Sequence, residues 1–131
     1  MSARILVIDD EESLRFTFAA FLGEEGHRVV TAATLDKALE LTGSESFDLV
    51  FSDIFLAGAS GVDFLRRFHA EHPAVPVVLV TGYPALDTAT EALRLGAYDY
   101  IAKPVTQQTL LRVTRMALRF KDIQDEKRRV Q

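Results

Sequence analysis

The chain of 131 residues lacks cysteine altogether, which excludes disulfide bonds and thiolate metal sites. It contains no run of about 18 apolar residues, so no segment is predicted to cross a membrane. Basic residues are not in surplus, because 15 lysines and arginines are set against 19 aspartates and glutamates, and direct binding of nucleic acid is not expected. No signal-peptide pattern precedes the first apolar segment, and we therefore expect a cytoplasmic location.

Internal repeats, low-complexity segments and linkers are also missing before residue 119, which predicts one domain there. The chain does have 48% hydrophobic residues, enough for a substantial core. The apolar segments that predict strands cover residues 3–8, 27–32, 47–53, 75–80 and 98–102. Helical patterns follow each of them after short connections. Five alternations of strand and helix predict an α/β fold with a doubly wound parallel sheet.

The predicted helices differ in how well their sequences define them. Thr34 and Thr106 are placed as N-caps of the second and the last helix. The first helix runs to about Glu25, and its buried stripe is predicted to be Leu14, Phe18, Phe21 and Leu22. The fourth, over residues 87–95, is the weakest prediction because its inward face is small. That face consists of Ala89, Ala92 and Leu93. Residues 54–61 are predicted to form a glycine-rich loop.

Polar side chains follow four of the five strands. They are Asp9, Asp10, Asp53, Thr81 and Lys103. Because the carboxyl ends of parallel strands meet at one edge of a sheet, we expect these side chains to converge there. Taken singly, each is ordinarily a helix cap, a turn residue or a surface residue, and Asp9 and Asp10 would be interpreted as an N-cap pair. Their convergence favours a functional site instead.

The residue types at this edge suit the chemistry of a phosphoryl group. Three neighbouring carboxylates repel one another unless a cation lies among them, and an all-oxygen set of ligands suits Mg²⁺. Lys103 supplies a positive charge and Thr81 a hydroxyl donor. Together they could stabilise negative charge on a phosphoryl group, with Asp53 as the nucleophile.

These positions resemble the receiver domain of two-component response regulators, over residues 3–119. In that family an acidic pair follows the first strand, a phospho-accepting aspartate ends the third, Thr or Ser ends the fourth, and Lys-Pro follows the fifth. The corresponding residues here are Asp9, Asp10, Asp53, Thr81, Lys103 and Pro104. Gly82-Tyr83 and residues 95–100 further resemble receivers of nitrogen-regulator-type enhancer-binding proteins. The resemblance implies a flavodoxin-like three-layer (βα)5 sandwich with strand order 2-1-3-4-5.

The resemblance also implies a mechanism, in which a sensor histidine kinase donates a phosphoryl group to Asp53. Lys103 and Thr81 would then hold the phosphoryl oxygens. Mg²⁺ would be bound by Asp10, Asp53, the backbone carbonyl of Phe55 and, directly or through water, Asp9. Movement of Thr81 would let the switch residue Tyr100 turn inward and re-form the surface of the fourth helix, fifth strand and fifth helix. The expected activity is that of a signalling domain, which assists its own phosphorylation and slow dephosphorylation, and the expected output is regulation of transcription.

Two further expectations concern the residues around Asp53. The family usually has Pro four residues after the phospho-accepting aspartate, whereas this chain has Ala57, so the loop is expected to be less preorganised. Phe55 and Tyr83, each two residues beyond a site residue, are expected to flank the line of attack by water and to prolong the life of the aspartyl phosphate.

Two other functions fit the fold less well. A phosphohydrolase of the haloacid dehalogenase type needs a second Asp two residues after the nucleophile, where this chain has Phe55. A flavodoxin-like FMN module needs a phosphate-binding loop after the first strand. The loop found there is Asp-Asp-Glu-Glu, which would repel phosphate.

We divide the chain into a receiver domain, residues 1–119, and a helical extension, residues 120–131, directed toward an output domain or output protein. The extension continues an apolar seam interrupted by Lys127. The seam residues are Met116, Phe120, Ile123 and Val130. This pattern predicts a homodimer formed through the last helix.

Overall fold

A five-stranded parallel sheet forms the centre of the fold in a computed structural model of the chain, which describes residues 2–56 and 59–129. Numbered in chain order, the strands of this sheet are β1 (Arg4–Ile8), β2 (Arg28–Ala32), β3 (Leu49–Asp53), β4 (Val77–Thr81) and β5 (Asp99–Ala102). They lie in the order β2-β1-β3-β4-β5, and each neighbouring pair is parallel. The predicted doubly wound sheet of order 2-1-3-4-5 is confirmed.

Five helices cover the two faces of the sheet. They are α1 (Glu12–Glu24), α2 (Leu35–Ser44), α3 (Gly61–Glu71), α4 (Leu86–Arg94) and α5 (Gln107–Arg129). Alternate residues of each strand point to opposite faces, so β1 contributes Leu6 to one core and Val7 to the other. The first core also contains buried residues of α2, α3 and α4, and the second contains those of α1 and α5. This is the three-layer sandwich that the resemblance implied, and it explains why the strands are apolar throughout.

Side-chain caps fix the starts of three helices. The hydroxyl of Thr34 accepts a hydrogen bond from the Lys37 amide at 3.1 Å, and that of Thr106 accepts one from the Thr109 amide at 3.1 Å. Both predicted caps are therefore confirmed. Ser60 caps α3 in the same way. At α1 the N-cap is Glu11, whose side chain makes no capping bond among the described residues, so interpreting Asp9 and Asp10 as an N-cap pair is wrong.

Two local predictions need correction. Residues 54–61 are not simply a loop, because Phe55–Leu56 pairs antiparallel with Ala59–Ser60 in a short hairpin. The amide of Gly61 donates to the carbonyl of Ile54 at 2.8 Å, which joins the two ends of this stretch and aligns the short strands. The prediction about Ala57 lies outside the described residues. In α4, Ala92 is buried, whereas Leu93 is exposed rather than on the inward face.

The start of β2 contains a titratable contact. His27 Nδ1 accepts a hydrogen bond from the amide of Ala3 at 3.1 Å, and burial lowers the pKa of His27 below its ordinary value of 6.5. Protonation of Nδ1 would remove this acceptor. The neutral ring therefore stabilises the fold at pH values above the unfolded-state pKa, and this stabilisation is lost as pH falls through the lower, folded-state pKa.

We expect the free energy of unfolding to decrease as pH falls below about 6.5, and to decrease less in His27→Asn, whose Oδ1 takes the place of Nδ1 as an acceptor without titrating there. Urea denaturation of both proteins at several pH values measures this slope. His72→Gln, at an exposed histidine, is the control and should keep the wild-type slope. Equal slopes in the wild type and His27→Asn would contradict the assignment.

Candidate functional site

Asp53 is the last residue of β3, the middle strand of the sheet, and its side chain is almost completely buried. Its carboxylate has two partners. Oδ1 accepts a hydrogen bond from the amide of Phe55 at 3.2 Å, and Oδ2 accepts one from Lys103 Nζ at 3.0 Å. The carboxylate is thus held at the carboxyl edge of the sheet in one orientation.

Two further carboxylates lie beside it, at the end of β1. Asp9 is 1% exposed and Asp10 is exposed, and oxygens of Asp9, Asp10 and Asp53 lie within 4.8 Å of one another. Oδ1 of Asp9 accepts from the amide of Glu11 at 2.8 Å. Oδ2 lies 3.0 Å from Lys103 Nζ but outside hydrogen-bonding geometry, so this buried oxygen has no hydrogen-bond donor among the described residues. Burial raises the pKa of Asp9, and repulsion by Asp53 adds to the effect.

These residues fit a divalent cation. The set consists of carboxylate oxygens, which are the ligands that Mg²⁺ prefers, and the buried Oδ2 of Asp9 has an unused acceptor site. A cation among the three carboxylates would offset both their mutual repulsion and the desolvation that raises the pKa of Asp9.

Lys103 is the positive group of the site and follows β5 directly. Its Nζ lies 3.0 Å from oxygens of three carboxylates, those of Asp9, Glu11 and Asp53. Burial alone would lower the pKa of Lys103, but the carboxylates of Glu11, Asp9 and Asp53 raise it strongly, so the ammonium stays charged. Glu11 is a site residue that the sequence analysis did not identify. Its position two residues after Asp9, in the same acidic turn, was the available signal.

Thr81 and Tyr100 lie on the two strands beyond β3. Thr81 ends β4, is fully buried, and accepts a hydrogen bond from the Tyr83 amide through Oγ1 at 3.0 Å. Tyr100 is half-buried on β5. Its hydroxyl accepts a hydrogen bond from the Ala85 amide at 3.1 Å and lies 3.5 Å from the Ala85 carbonyl, as a weak donor. Because Ala85 is the N-cap residue of α4, Tyr100 connects β5 to the start of that helix.

Removal of this hydroxyl should loosen α4. In Tyr100→Phe the Ala85 amide loses its acceptor, which we expect to cost about 1 kcal/mol and to accelerate amide hydrogen exchange in the first turn of α4. Tyr98→Phe is the control, since the Tyr98 hydroxyl forms no hydrogen bond within residues 2–56 and 59–129. The rate of amide hydrogen exchange, measured by mass spectrometry or NMR in both variants and the wild type, tests this prediction. Equal exchange rates in Tyr100→Phe and the wild type would show that the contact does not hold the helix.

A cleft of about 360 Å³ opens above Asp53. It is lined by Asp10, Glu11, Asp53, Phe55, Gly82, Tyr83 and Lys103. The rings of Phe55 and Tyr83, which both line the cleft, contact each other edge to face, with their centroids 6.2 Å apart and their planes at 75°. The floor of the cleft is therefore charged and its mouth is partly aromatic.

Gly61 determines how closely the first turn of α3 approaches Asp53. A Cβ added at Gly61 would lie 2.0 Å from the backbone carbonyl oxygen of Asp53, far inside van der Waals contact. The absence of a side chain at this position is what allows α3 to begin directly beneath the end of β3.

Comparison with protein families agrees with this arrangement. Residues 5–115 match the family model described as the response regulator receiver domain, which covers most of the chain. The chain belongs to the response regulator receiver family. The members of this family are signalling domains of two-component systems rather than metabolic enzymes. The receiver domain described here contains, at the carboxyl edge of its sheet, the acidic pair, the aspartate, the threonine and the lysine on which the resemblance was based.

Relatives of the receiver domain include transcriptional regulators. It is 37% identical, over 133 aligned residues, to the alginate biosynthesis transcriptional regulatory protein AlgB of Pseudomonas aeruginosa, with 96% of this chain and 30% of that protein covered. The structure of NtrX from Brucella abortus in complex with ADP superposes with a TM-score of 0.93 at 38% identity, and covers all of this chain and 30% of NtrX. The similarity to NtrX supports the nitrogen-regulator-type subfamily. The chain spans less than a third of the length of these relatives.

A second structural neighbour shows a receiver domain in its activated form. The beryllofluoride-activated NtrC4 receiver domain dimer superposes with a TM-score of 0.86 at 32% identity, covering 90% of this chain and 98% of that one.

No helix in the described part of our receiver domain is both long and apolar enough to cross a membrane.

Proposed function

We propose that this receiver domain is a phosphorylation-controlled switch, in which Asp53 accepts a phosphoryl group from a sensor histidine kinase. The observation that carries the proposal is the convergence of three carboxylates around one ammonium, with Lys103 Nζ 3.0 Å from Asp53 Oδ2. Asp53 is the nucleophile because it is the residue of this group that lines the floor of the cleft and ends the central strand.

We assign metal binding to the acidic cluster. Asp9, Asp10, Asp53 and the backbone carbonyl of Phe55 would hold Mg²⁺, which supplies positive charge next to the reacting oxygens. The buried Oδ2 of Asp9 is paired only with the Lys103 ammonium and accepts no hydrogen bond from the described residues, which supports this assignment. The residues then act as follows. Asp53 attacks phosphorus in line as the bond from phosphorus to the donor's histidine nitrogen breaks and its electron pair stays on that nitrogen, and Lys103 moves its charge from the carboxylates to the new phosphoryl oxygens. Thr81 gives up its bond from the Tyr83 amide and donates its hydroxyl to another of these oxygens.

The switch that we propose depends on the contact between Tyr100 and Ala85. Its hydroxyl is bound to Ala85, so inward rotation of the ring after Thr81 moves would break that contact and release the start of α4. The α4 surface contains exposed apolar side chains, among them Leu86 and Leu93. Reorientation of this helix would therefore present a different surface to an output domain or protein. The regulatory relatives favour control of transcription as the output.

Phosphorylation by a small donor tests the site. Incubation with acetyl phosphate and Mg²⁺ should add one phosphoryl group per chain, detectable by mass spectrometry, and EDTA should prevent it. The product should be an acyl phosphate, which hydroxylamine removes. Incorporation that is unaffected by EDTA, or that resists hydroxylamine, would refute the proposed chemistry.

Because Phe55 and Tyr83 line the cleft, we also propose that water reaches the aspartyl phosphate slowly.

We propose that residues 1–119 form the receiver domain proper and that residues 120–131 extend it toward an output domain. The helix α5 continues without interruption to Arg129. Its residues just past 119 still contact the domain: the ring of Phe120 lies 5.2 Å from that of Tyr98, and Lys121 Nζ lies 3.7 Å from Asp48 Oδ1. The extension is therefore anchored at its base.

We propose a homodimer formed through α5. Met116 and Ile123, seven residues apart on one face, are 54% and 48% exposed. Phe120 contacts Tyr98 within the chain, and Val130 lies outside the described residues, so Met116 and Ile123 are the seam residues that support the proposal. The NtrC4 receiver domain is a dimer in its activated form.

Introduction of one charge into the seam should separate the subunits. We expect Ile123→Glu to sediment as a monomer at tens of micromolar protein in the phosphorylated state, because the carboxylate would be buried at the interface. Gln124→Glu introduces the same charge one position away and should remain dimeric. A variant truncated after Arg119 should also be monomeric. Monomers for the wild type and Gln124→Glu under these conditions would rule out the dimer.

A further inference from the structure

We propose that Arg15 is a positioning residue of the metal site, because its side chain holds the peptide that joins Asp9 to Asp10. This inference rests on the proposed function, in which both of these carboxylates hold Mg²⁺. Arg15 would act through the backbone of the two aspartates, and it adds a residue of α1 to the parts of the chain that determine how well the metal is bound.

The contact that suggests this role is short and has no substitute. Arg15 is half-buried in the first turns of α1, and its Nη1 donates a hydrogen bond to the backbone carbonyl of Asp9 at 2.7 Å. A hydrogen bond from a guanidinium is charge-assisted and stronger than one between neutral groups. Among the hydrogen bonds of residues 2–56 and 59–129, no other donor reaches this carbonyl. Its orientation therefore depends on one side chain.

The Asp9 carbonyl lies in the plane of the peptide that links Asp9 to Asp10. Rotation of this plane changes ψ of Asp9 and φ of Asp10 together, and so redirects both side chains. Backbone bonds hold the turn on either side of it, since the Asp9 amide donates to the Ala32 carbonyl at 3.1 Å and the Arg15 amide donates to the Glu11 carbonyl at 3.2 Å. The Arg15 side chain fixes a peptide between these two anchors, and with it the directions of two proposed ligands.

Mg²⁺ is sensitive to the directions of its ligands, because it demands near-octahedral coordination. Residues that orient metal ligands typically change metal affinity by about 10–100-fold when they are removed. Without the guanidinium, the peptide between Asp9 and Asp10 could rotate, and the two carboxylates would spend less time in the arrangement that the metal requires. Removal of the contact is therefore expected to weaken Mg²⁺ binding.

The charge of Arg15 has the opposite effect on the metal. A guanidinium beside the site repels a divalent cation. The carboxylates of Asp9, Glu11 and Asp53 pair with Lys103, and Arg15 forms no ion pair within the described part of the chain. Loss of the charge alone would thus strengthen Mg²⁺ binding, whereas loss of the hydrogen bond would weaken it. The sign of the change in affinity separates the two roles.

Titration of the unphosphorylated protein with MgCl₂, followed by the NMR chemical shifts of its backbone amides, measures the Kd for Mg²⁺ without any reaction. Arg15→Met and Arg15→Gln are two neutral variants that keep a good helix former, and the spectrum of each without metal shows whether it is folded. Arg15→Lys keeps the charge and a donor.

Arg28→Met is the matched control for the loss of one positive charge. Arg28 is exposed at the start of β2, four residues before Ala32, the residue that binds the Asp9 amide. This separation is about 13 Å along the strand, further than the Debye length of about 8 Å at physiological salt.

We expect the Kd for Mg²⁺ to rise about tenfold in Arg15→Met and Arg15→Gln, to rise less in Arg15→Lys, and to stay at the wild-type value in Arg28→Met. The Mg²⁺ concentration that gives half the maximal rate of phosphorylation by acetyl phosphate should rise in parallel. The rate at saturating Mg²⁺ should return to that of the wild type, because excess metal restores occupancy of the site.

An unchanged or lower Kd in the neutral variants, or an equal rise in Arg28→Met, would overturn the positioning role. Phosphorylation of the wild type that still requires Mg²⁺ would then leave the proposed function standing. If Mg²⁺ shifts no amide at Asp9, Asp10 or Asp53 in the wild type, and acetyl phosphate does not phosphorylate it, the proposed function itself is overturned, and this inference with it.

Discussion

Asp53→Asn is expected to abolish phosphorylation of the chain by acetyl phosphate. The substitution replaces a charged carboxylate by a neutral amide, whose oxygen is a poor nucleophile toward phosphorus. It also removes one of the three carboxylates of the acidic cluster and weakens metal binding there. The side chains are nearly equal in volume, and the single amide oxygen can still accept one of the two hydrogen bonds, either from the Phe55 amide or from Lys103. Loss of phosphorylation therefore reports on chemistry and not on packing.

The same strand offers a matched control. Asp48 precedes β3 at its opposite end, where its Oδ2 accepts a hydrogen bond from the amide of Arg4 at 2.9 Å. Asp48→Asn keeps an oxygen for that bond, and should be phosphorylated at the wild-type rate. Intact-protein mass spectrometry after incubation with acetyl phosphate and Mg²⁺ measures how much phosphate each variant incorporates. Incorporation of phosphate into Asp53→Asn would show that another residue is the acceptor.

Gly61→Ala is expected to lower the free energy of unfolding by about 2–3 kcal/mol, a decrease in Tm of about 10 °C. The added Cβ would meet the carbonyl oxygen of Asp53 at 2.0 Å and the Cα of Ile54 at 3.1 Å. Both are backbone atoms at the end of a central strand, and they cannot move aside as the tip of a flexible side chain would. Either α3 or the end of β3 has to shift. We therefore expect slower phosphorylation of Asp53 as well as lower stability.

Gly43→Ala is the control for this experiment. Gly43 lies within α2, and a Cβ there would come within 4 Å of no atom beyond the adjacent residues and the backbone of its own helix. Alanine is the better helix former, so this variant should be as stable as the wild type or more stable by about 0.5 kcal/mol. Thermal denaturation measures the stability of Gly61→Ala and Gly43→Ala against the wild type. If Gly61→Ala unfolds at the wild-type temperature, the close approach of α3 to Asp53 does not constrain the site.

The strands, the edge and the residue types of the site were predictable because each depends on local pattern, whereas the strand order came from the family resemblance. Apolar segments bounded by turns predict buried strands, and parallel strands place their final residues at one edge. Asp53, Thr81 and Lys103 therefore had to lie near one another once the strands were assigned. The caps at Thr34 and Thr106 were predictable for the same reason, since a cap involves only residues within one turn of the helix.

Contacts between distant segments were not predictable in this way. The ion pair between Glu11 and Lys103 joins residues that are 92 positions apart, and depends on the direction in which two flexible side chains extend. The hydrogen bonds between Tyr100 and Ala85 depend on where the loop before α4 runs. Leu93 fits a helical stripe by its spacing, but the rotation of α4 about its own axis leaves it exposed. That rotation is set by packing in three dimensions.

The length of α5 has a mechanical consequence. Its 23 residues form one rod about 34 Å long, with its first half held in the core by Leu110, Val113 and Ala117. A rod of this length acts as a lever arm. A tilt of about 5° at the base would carry the far end sideways by about 3 Å, a distance comparable to a hydrogen bond. Small changes of packing beside β5 would thus be amplified into larger displacements at the far end of α5.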